Sequence, residues 1–181
     1  MTLVAYRDGV VAADSATWGA GGRVITGHNK KIRRLNSPLM AGALVVCAGA
    51  SGVIARFHEW LEAGGKGERE AVKAGDGFQA LIVHADGGVT RYDEEWLPFA
   101  LQAPYHVLGA AEAFMLGALA AGASAKEAVR LAMVHTEGGA GEIQVEQLNP
   151  VLAAKASDVI GFDPLFPPKL WPFTPQGALP R

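Results

Sequence analysis

Thr2-Leu3-Val4-Ala5-Tyr6-Arg7-Asp8-Gly9-Val10-Val11-Ala12-Ala13-Asp14-Ser15 opens the chain with two apolar, β-prone runs on either side of a turn. An Asp-Gly pair between such runs is a strong hairpin signal, because both residues tolerate the positive φ that a tight turn demands. The stretch predicts strands over 2–6 and 10–15. Two of its residues ask for more than a plain hairpin. Asp14 ends the apolar run Val10-Val11-Ala12-Ala13, where a carboxylate is unwelcome. Thr2 follows Met1 directly, and a small second residue permits removal of an initiator methionine. The product would hold a hydroxyl nucleophile and a free amine on one residue. Such an amine, with a pKa of about 7.7–8, can accept the hydroxyl proton near neutral pH.

Lys31 supplies a third group. It lies at the start of a later strand, in the run Lys30-Lys31-Ile32-Arg33-Arg34-Leu35. A lysine near the amine favours its neutral form and stabilises developing negative charge, and an aspartate can hold that lysine in place. Thr2, Asp14 and Lys31 therefore form a coherent catalytic set.

Working outward, Gly19-Ala20-Gly21-Gly22 reads as a loop before a strand over 23–27. A strand over 31–35 ends at the Asn36-Ser37-Pro38 turn, and 39–49 reads as one long buried strand. Helical spacing then begins: Val53, Ile54, Phe57, Trp60 and Leu61 lie on one face, with Ser51 able to cap the start and Gly64-Gly65 to stop the helix. Residues 66–77 read as a loop. Strands over 78–84 and 89–92 flank a second turn, Ala85-Asp86-Gly87-Gly88. A strand over 105–108 leads to a helix over 111–121, and Ser124-Ala125-Lys126-Glu127 opens another helix as a capping box. Residues 143–148 make the last strand. Strands and helices fall in blocks rather than alternate, which argues for antiparallel sheets covered by helices. The fold class expected is α+β, a four-layer αββα sandwich.

The composition excludes several classes. Half of the 181 residues are hydrophobic and 19% are charged, unlike a disordered chain. The net charge of −2 gives no basic face for nucleic acid. No apolar run reaches the roughly 18 residues of a membrane span, and no signal-peptide pattern opens the chain, so a cytoplasmic protein is expected. Cys47, the single cysteine, rules out an internal disulfide framework and reads as a core residue. His28, His58, His84, His106 and His135 show no metal-ligand spacing, and no cofactor is expected. Gly49-Ala50-Ser51-Gly52 lacks the spacing of a nucleophile elbow or a phosphate loop and reads as a helix cap.

After residue 150 the character changes. Residues 163–181 carry six of the ten prolines, with Phe162, Phe166, Trp171 and Phe173 among or beside them. Proline at this density forbids helix and central strand. The expected organisation is a domain over 1–150 and an extended arm over 151–181 that docks across a neighbouring subunit.

The hairpin and the lysine segment resemble the proteasome β-subunit and HslV family of N-terminal threonine hydrolases, and weaker similarity through Cys47-Ala48-Gly49 and Val107-Leu108-Gly109 extends the match over residues 2–148. Relative to HslV, both hairpin strands are two residues shorter, which keeps cross-strand partners opposed and each side chain on its face. The resemblance implies Thr2 as nucleophile, Asp14 and Lys31 as its supports, and Lys31 rather than Lys30 as the active lysine. It implies peptide or unfolded-protein substrates and a self-assembled ring-like homo-oligomer, and it designates no particular ATPase partner. Three positions depart from the family: Ala110 replaces a serine, Val134-His135-Thr136-Glu137-Gly138-Gly139 replaces a segment bearing an aspartate and a serine, and Val46 aligns with the oxyanion glycine, implying a tighter cleft. Two readings follow. One is a threonine peptidase subunit in a self-compartmentalised oligomer. The other is a catalytically silent structural subunit of a larger assembly, such as a prophage or virion component.

Overall fold

The computed structural model describes residues 1–22, 24–37, 40–65 and 77–148. Strands β1 (Leu3–Arg7) and β2 (Val10–Asp14) form the expected hairpin. Asp8 and Gly9 both take positive φ, 50° and 78°, the backbone that the Asp-Gly pair foretold. A short ribbon follows, β3 (Thr17–Trp18) with β4 (Val24–Thr26). Then come β5 (Ile32–Arg34), β6 (Leu44–Ala48), helix α1 (Ser51–Glu62), β7 (Gln79–Val83) and β8 (Val89–Tyr92). The remaining elements are β9 (Pro98–Leu101), β10 (Tyr105–Gly109), α2 (Glu112–Ala120), α3 (Ala125–His135) and β11 (Ile143–Gln147).

Two antiparallel sheets stack, ordered β10-β1-β2-β11 and β5-β6-β7-β8-β9. The period-2 alternation of β1 divides its side chains between two cores. Val4 and Tyr6 pack with Ile32, Leu44, Val46 and Leu81 between the sheets, while Leu3 and Ala5 pack under α2 and α3 against Met115, Leu119 and Val129. On the far side, Val45, Cys47 and Ile82 meet Phe57 and Leu61 of α1, joined by Phe78 and Trp96. Strands with both faces buried explain the unbroken apolar run at β6. The result is the expected αββα sandwich.

Several local expectations need correction. The strand read over 39–49 is only β6, because Met40–Ala43 forms a turn in which Gly42 N–H bonds Leu35 O at 2.9 Å. Hydrophobicity alone cannot separate a buried turn from a buried strand. Ser51 is the first helical residue, and Ala50 holds the cap position without a side-chain bond. The capping box at Ser124 is half formed: Ser124 Oγ accepts from Glu127 N at 3.2 Å, while the Glu127 carboxylate takes Arg130 instead. β9 went unrecognised in the sequence; it begins with Pro98 and, among the described residues, pairs on one side only, with β8, an edge position that tolerates a missing N–H. The loop expected over 66–77 falls outside the described residues except for Gly77, and the arm over 151–181 falls outside them entirely.

Candidate functional site

The three residues singled out from the sequence meet at one end of the sandwich. Asp14 closes β2 and is fully buried. Its Oδ1 accepts from Leu3 N at 2.8 Å, and its Oδ2 accepts from Ala16 N and Ala140 N, both at 3.3 Å. The amide at Leu3 is the one that follows Thr2, so the carboxylate fixes the backbone of the candidate nucleophile. The same Oδ1 takes Lys31 Nζ at 2.7 Å, and Nζ donates to Thr2 Oγ1 at 3.1 Å. The Lys31 side chain is only 6% exposed. Lys30, by contrast, is exposed.

Lys31 stands immediately before β5 rather than within it. Its position is set by residues that sequence reasoning missed. Gln144 of β11 accepts from Lys31 N at 2.9 Å through Oε1 and donates through Nε2 to Asn29 O. Ser15 Oγ donates to Gly27 O and accepts from Glu142 N at 2.7 Å. These bonds pin the segment entering β5 to β11 and the residue before it. The Gln144–Lys31 bond joins residues 113 apart in sequence, and a lone glutamine in an alternating strand carries no sign of such a partner.

Burial holds the Lys31 ammonium below the ordinary lysine pKa, although its bond to Asp14 opposes the shift. The Met1 α-amine beside it is lowered too, first by burial and then by the Lys31 charge, with Asp14 opposing. The Met1 amine is thus biased toward its neutral form.

A cleft of about 400 Å³ opens at Thr2, lined by Met1, Ala48, Gly49, Gly77, Gln79, Gly109 and Ala110. Val46 is not among its walls; that side chain is buried between the sheets. The expected tightening at Val46 therefore does not arise, because the strand turns it away from the cleft. Ala110 does line the cleft, and its N–H bonds Thr2 O at 2.9 Å. Gly109 is required beside it: its φ is +99°, and a Cβ there would lie 1.9 Å from Thr2 O.

A second group missed by sequence reasoning braces this wall. Glu112, in the first turn of α2, accepts from Gly109 N at 3.2 Å and from Arg91 of β8 at 3.4 Å. With its amide oriented to satisfy both neighbours, Gln79 of β7 donates to Glu112 at 3.1 Å and accepts from Arg91 at 2.9 Å. This cluster ties the two sheets together at the cleft mouth. Thr136, in the segment that departs from the family, caps α3 by donating to Ala132 O at 2.7 Å. Cys47 and His58 lie 4.0 Å apart beneath α1, but burial pushes the thiol up and holds the imidazole down at about 4, so both stay neutral near pH 7. Among the described residues no cluster of three metal-type ligands occurs, and no helix is long and apolar enough to cross a membrane.

Two stacked antiparallel sheets flanked by helices, with the N-terminal hairpin leading the site, define the proteasome/HslV-type N-terminal nucleophile hydrolase fold. The solved structure of eukaryotic HslV from Trypanosoma brucei matches with a TM-score of 0.58 at 16% identity, covering 81% of this chain and 99% of that one. BPH from Thiobacillus denitrificans, in complex with epoxomicin, matches at 0.49 and 18% identity over 82% of this chain and 99% of that one. A further structure of that BPH matches at 0.47 and 16%, covering 82% and 98%. No protein-family model matches the sequence, and neither does any curated protein.

Proposed function

We propose that the chain is a threonine-type peptidase subunit, working in the cytoplasm within a self-assembled, ring-like homo-oligomer. The observation that carries this reading is the part-buried relay Thr2 Oγ1–Lys31 Nζ–Asp14 Oδ1, at 3.1 and 2.7 Å. Removal of Met1 frees the Thr2 amine. That amine takes the Oγ1 proton as Oγ1 attacks a peptide carbonyl, and Lys31 offsets the negative charge that develops. Collapse of the tetrahedral species breaks the C–N bond, the ammonium returns its proton to the leaving amine, and water then hydrolyses the ester on Oγ1. The segment over 151–181 docks across a neighbouring copy.

A second reading has an observation of its own. Ala110 lines the cleft where the resemblance implies a serine, and a retained Met1 would leave Thr2 without a free amine. A subunit that keeps Met1 would be a silent structural component. Intact-mass measurement with a peptide-hydrolysis assay separates the two. The peptidase reading expects loss of Met1, turnover of unstructured peptides, and abolition of turnover in Thr2→Ala with assembly intact. Retained Met1 without turnover, or unchanged turnover in Thr2→Ala, refutes it.

A further inference from the structure

Helix α2 buries too little for what it is made of. From Ala113 to Ala123 the chain carries no polar side chain. A helix apolar on every side is ordinarily enclosed on every side. Here Met115 and Leu119 are buried against the first sheet, while Phe114 and Leu116 remain 39% and 41% exposed. The patch runs on to α3, where Val134 is 64% exposed and the His135 ring lies 6.1 Å from that of Phe114. Gly117 leaves open space on the surface, since a Cβ there would meet nothing within 4 Å, and Ala113 and Ala120 are exposed on the same helix. Together they make a shallow apolar trough, the kind of surface that marks an interaction site.

We infer that this trough receives the aromatic, proline-rich C-terminal segment of a second copy of the chain, an inference that rests on the self-assembly proposed above. The segment has matching chemistry. Residues 162–181 carry Phe162, Phe166, Trp171 and Phe173, with Asp163, Lys169 and Arg181 their only charges. Proline-rich extended chain docks on apolar grooves at a low entropy cost.

The point of departure fits as well. Leu148 N bonds Gly9 O at 2.9 Å, at the turn end of the first hairpin. At that end Arg7 donates to Leu119 O and Ala123 O, at 2.6 and 3.0 Å, beside the C-terminus of α2. The chain from Leu148 to Phe162 spans up to about 45 Å when extended, enough to reach its own α2 or a neighbour's. Its own α2 is the poorer target. β11 and β10 are opposite edges of the sheet, and α3 stands between, exposing the Glu127–Arg130 ion pair. A segment of the same copy would cross that charged surface first.

The test mixes full-length Ala120→Cys protein with full-length Trp171→Cys protein under oxidising conditions; Cys47 is buried and does not compete. A disulfide-linked heterodimer is expected. Adding Phe114→Ser and Leu116→Ser to the first partner should lower its yield at least tenfold, and truncation after Gly161 should lower the assembly state in native mass spectrometry. Absence of the heterodimer, or a link forming only when one chain carries both cysteines, overturns the inference. If truncation leaves assembly intact while the Phe114/Leu116 variant dissociates, α2 is an interface that needs no arm; the inference fails and self-assembly stands. A wild-type protein monomeric at all concentrations overturns both.

Discussion

Asp14→Asn changes charge without changing volume, and so probes the electrostatics of the site directly. The carboxylate faces Lys31 Nζ at 2.7 Å with both side chains almost wholly out of solvent, 0% and 6% exposed. Asparagine still offers an oxygen to Leu3 N–H, so the backbone bond at 2.8 Å can survive. What is lost is the counter-charge of a buried ammonium, together with the second oxygen that accepts from Ala16 N and Ala140 N, where asparagine places a donor. Removing one partner of a buried ion pair costs about 3–5 kcal/mol, a large share of the roughly 5–15 kcal/mol that stabilises a typical domain. Urea unfolding followed by tryptophan fluorescence, at fixed protein concentration, should show that loss at pH 7 with an unchanged slope. Adding Lys31→Met should restore the part of it that comes from the stranded charge. The pH dependence has a definite sign. Lys31 is already below its ordinary pKa through burial, and loss of Asp14 removes the interaction that opposes the shift. A lysine depressed in the folded state is destabilising while its unfolded counterpart holds a proton that the folded one gives up, so the deficit of Asp14→Asn shrinks as pH rises toward about 10. A variant within about 1 kcal/mol of wild type, or one that Lys31→Met fails to rescue, would refute the reasoning.

Gly109→Ala should cost about 2–4 kcal/mol, because it combines an unfavourable φ with a clash against backbone. Calorimetry reads the loss, and any folded fraction should show no peptide hydrolysis because Thr2 O must move; near-wild-type stability and turnover would contradict the close approach. His58 is 4% exposed and its pKa is lowered from 6.5 to about 4 by burial first and the Arg33 charge second. Its contribution is fully present above pH 6.5 and is lost as pH falls toward about 4, a change of roughly 3 kcal/mol. His58→Gln should flatten the stability profile in that window relative to wild type, and identical slopes would show that the imidazole does not titrate as its burial requires.

Much of this was legible in the sequence because it rests on short-range physics. The Asp8-Gly9 turn, the alternation of β1 and β2 and the helical spacing of Val53, Phe57 and Leu61 are each fixed by neighbours a few residues apart. Blocks of strand and helix then limit the layers to one arrangement. Asp14 stood out as a carboxylate in an apolar run, Thr2 by its second position and Lys31 by its place at the start of a later strand. Where hydrophobicity alone was the guide, boundaries slipped: Met40–Ala43 is apolar enough for a strand yet turns, and β9 was hidden by its proline.

By itself, then, the sequence determined the sandwich and singled out three candidate residues. Only the tertiary structure decided how those groups meet. Lys31 is placed by Gln144 and Ser15, through bonds between segments far apart in the chain, and the cleft wall by Glu112, Arg91 and Gln79 from three different elements. It also decided that Val46 faces the inter-sheet core while Ala48 and Gly49 border the cleft. Such choices depend on which strand edges the two stacked sheets bring together, and a linear pattern carries no record of a partner that lies a hundred residues away.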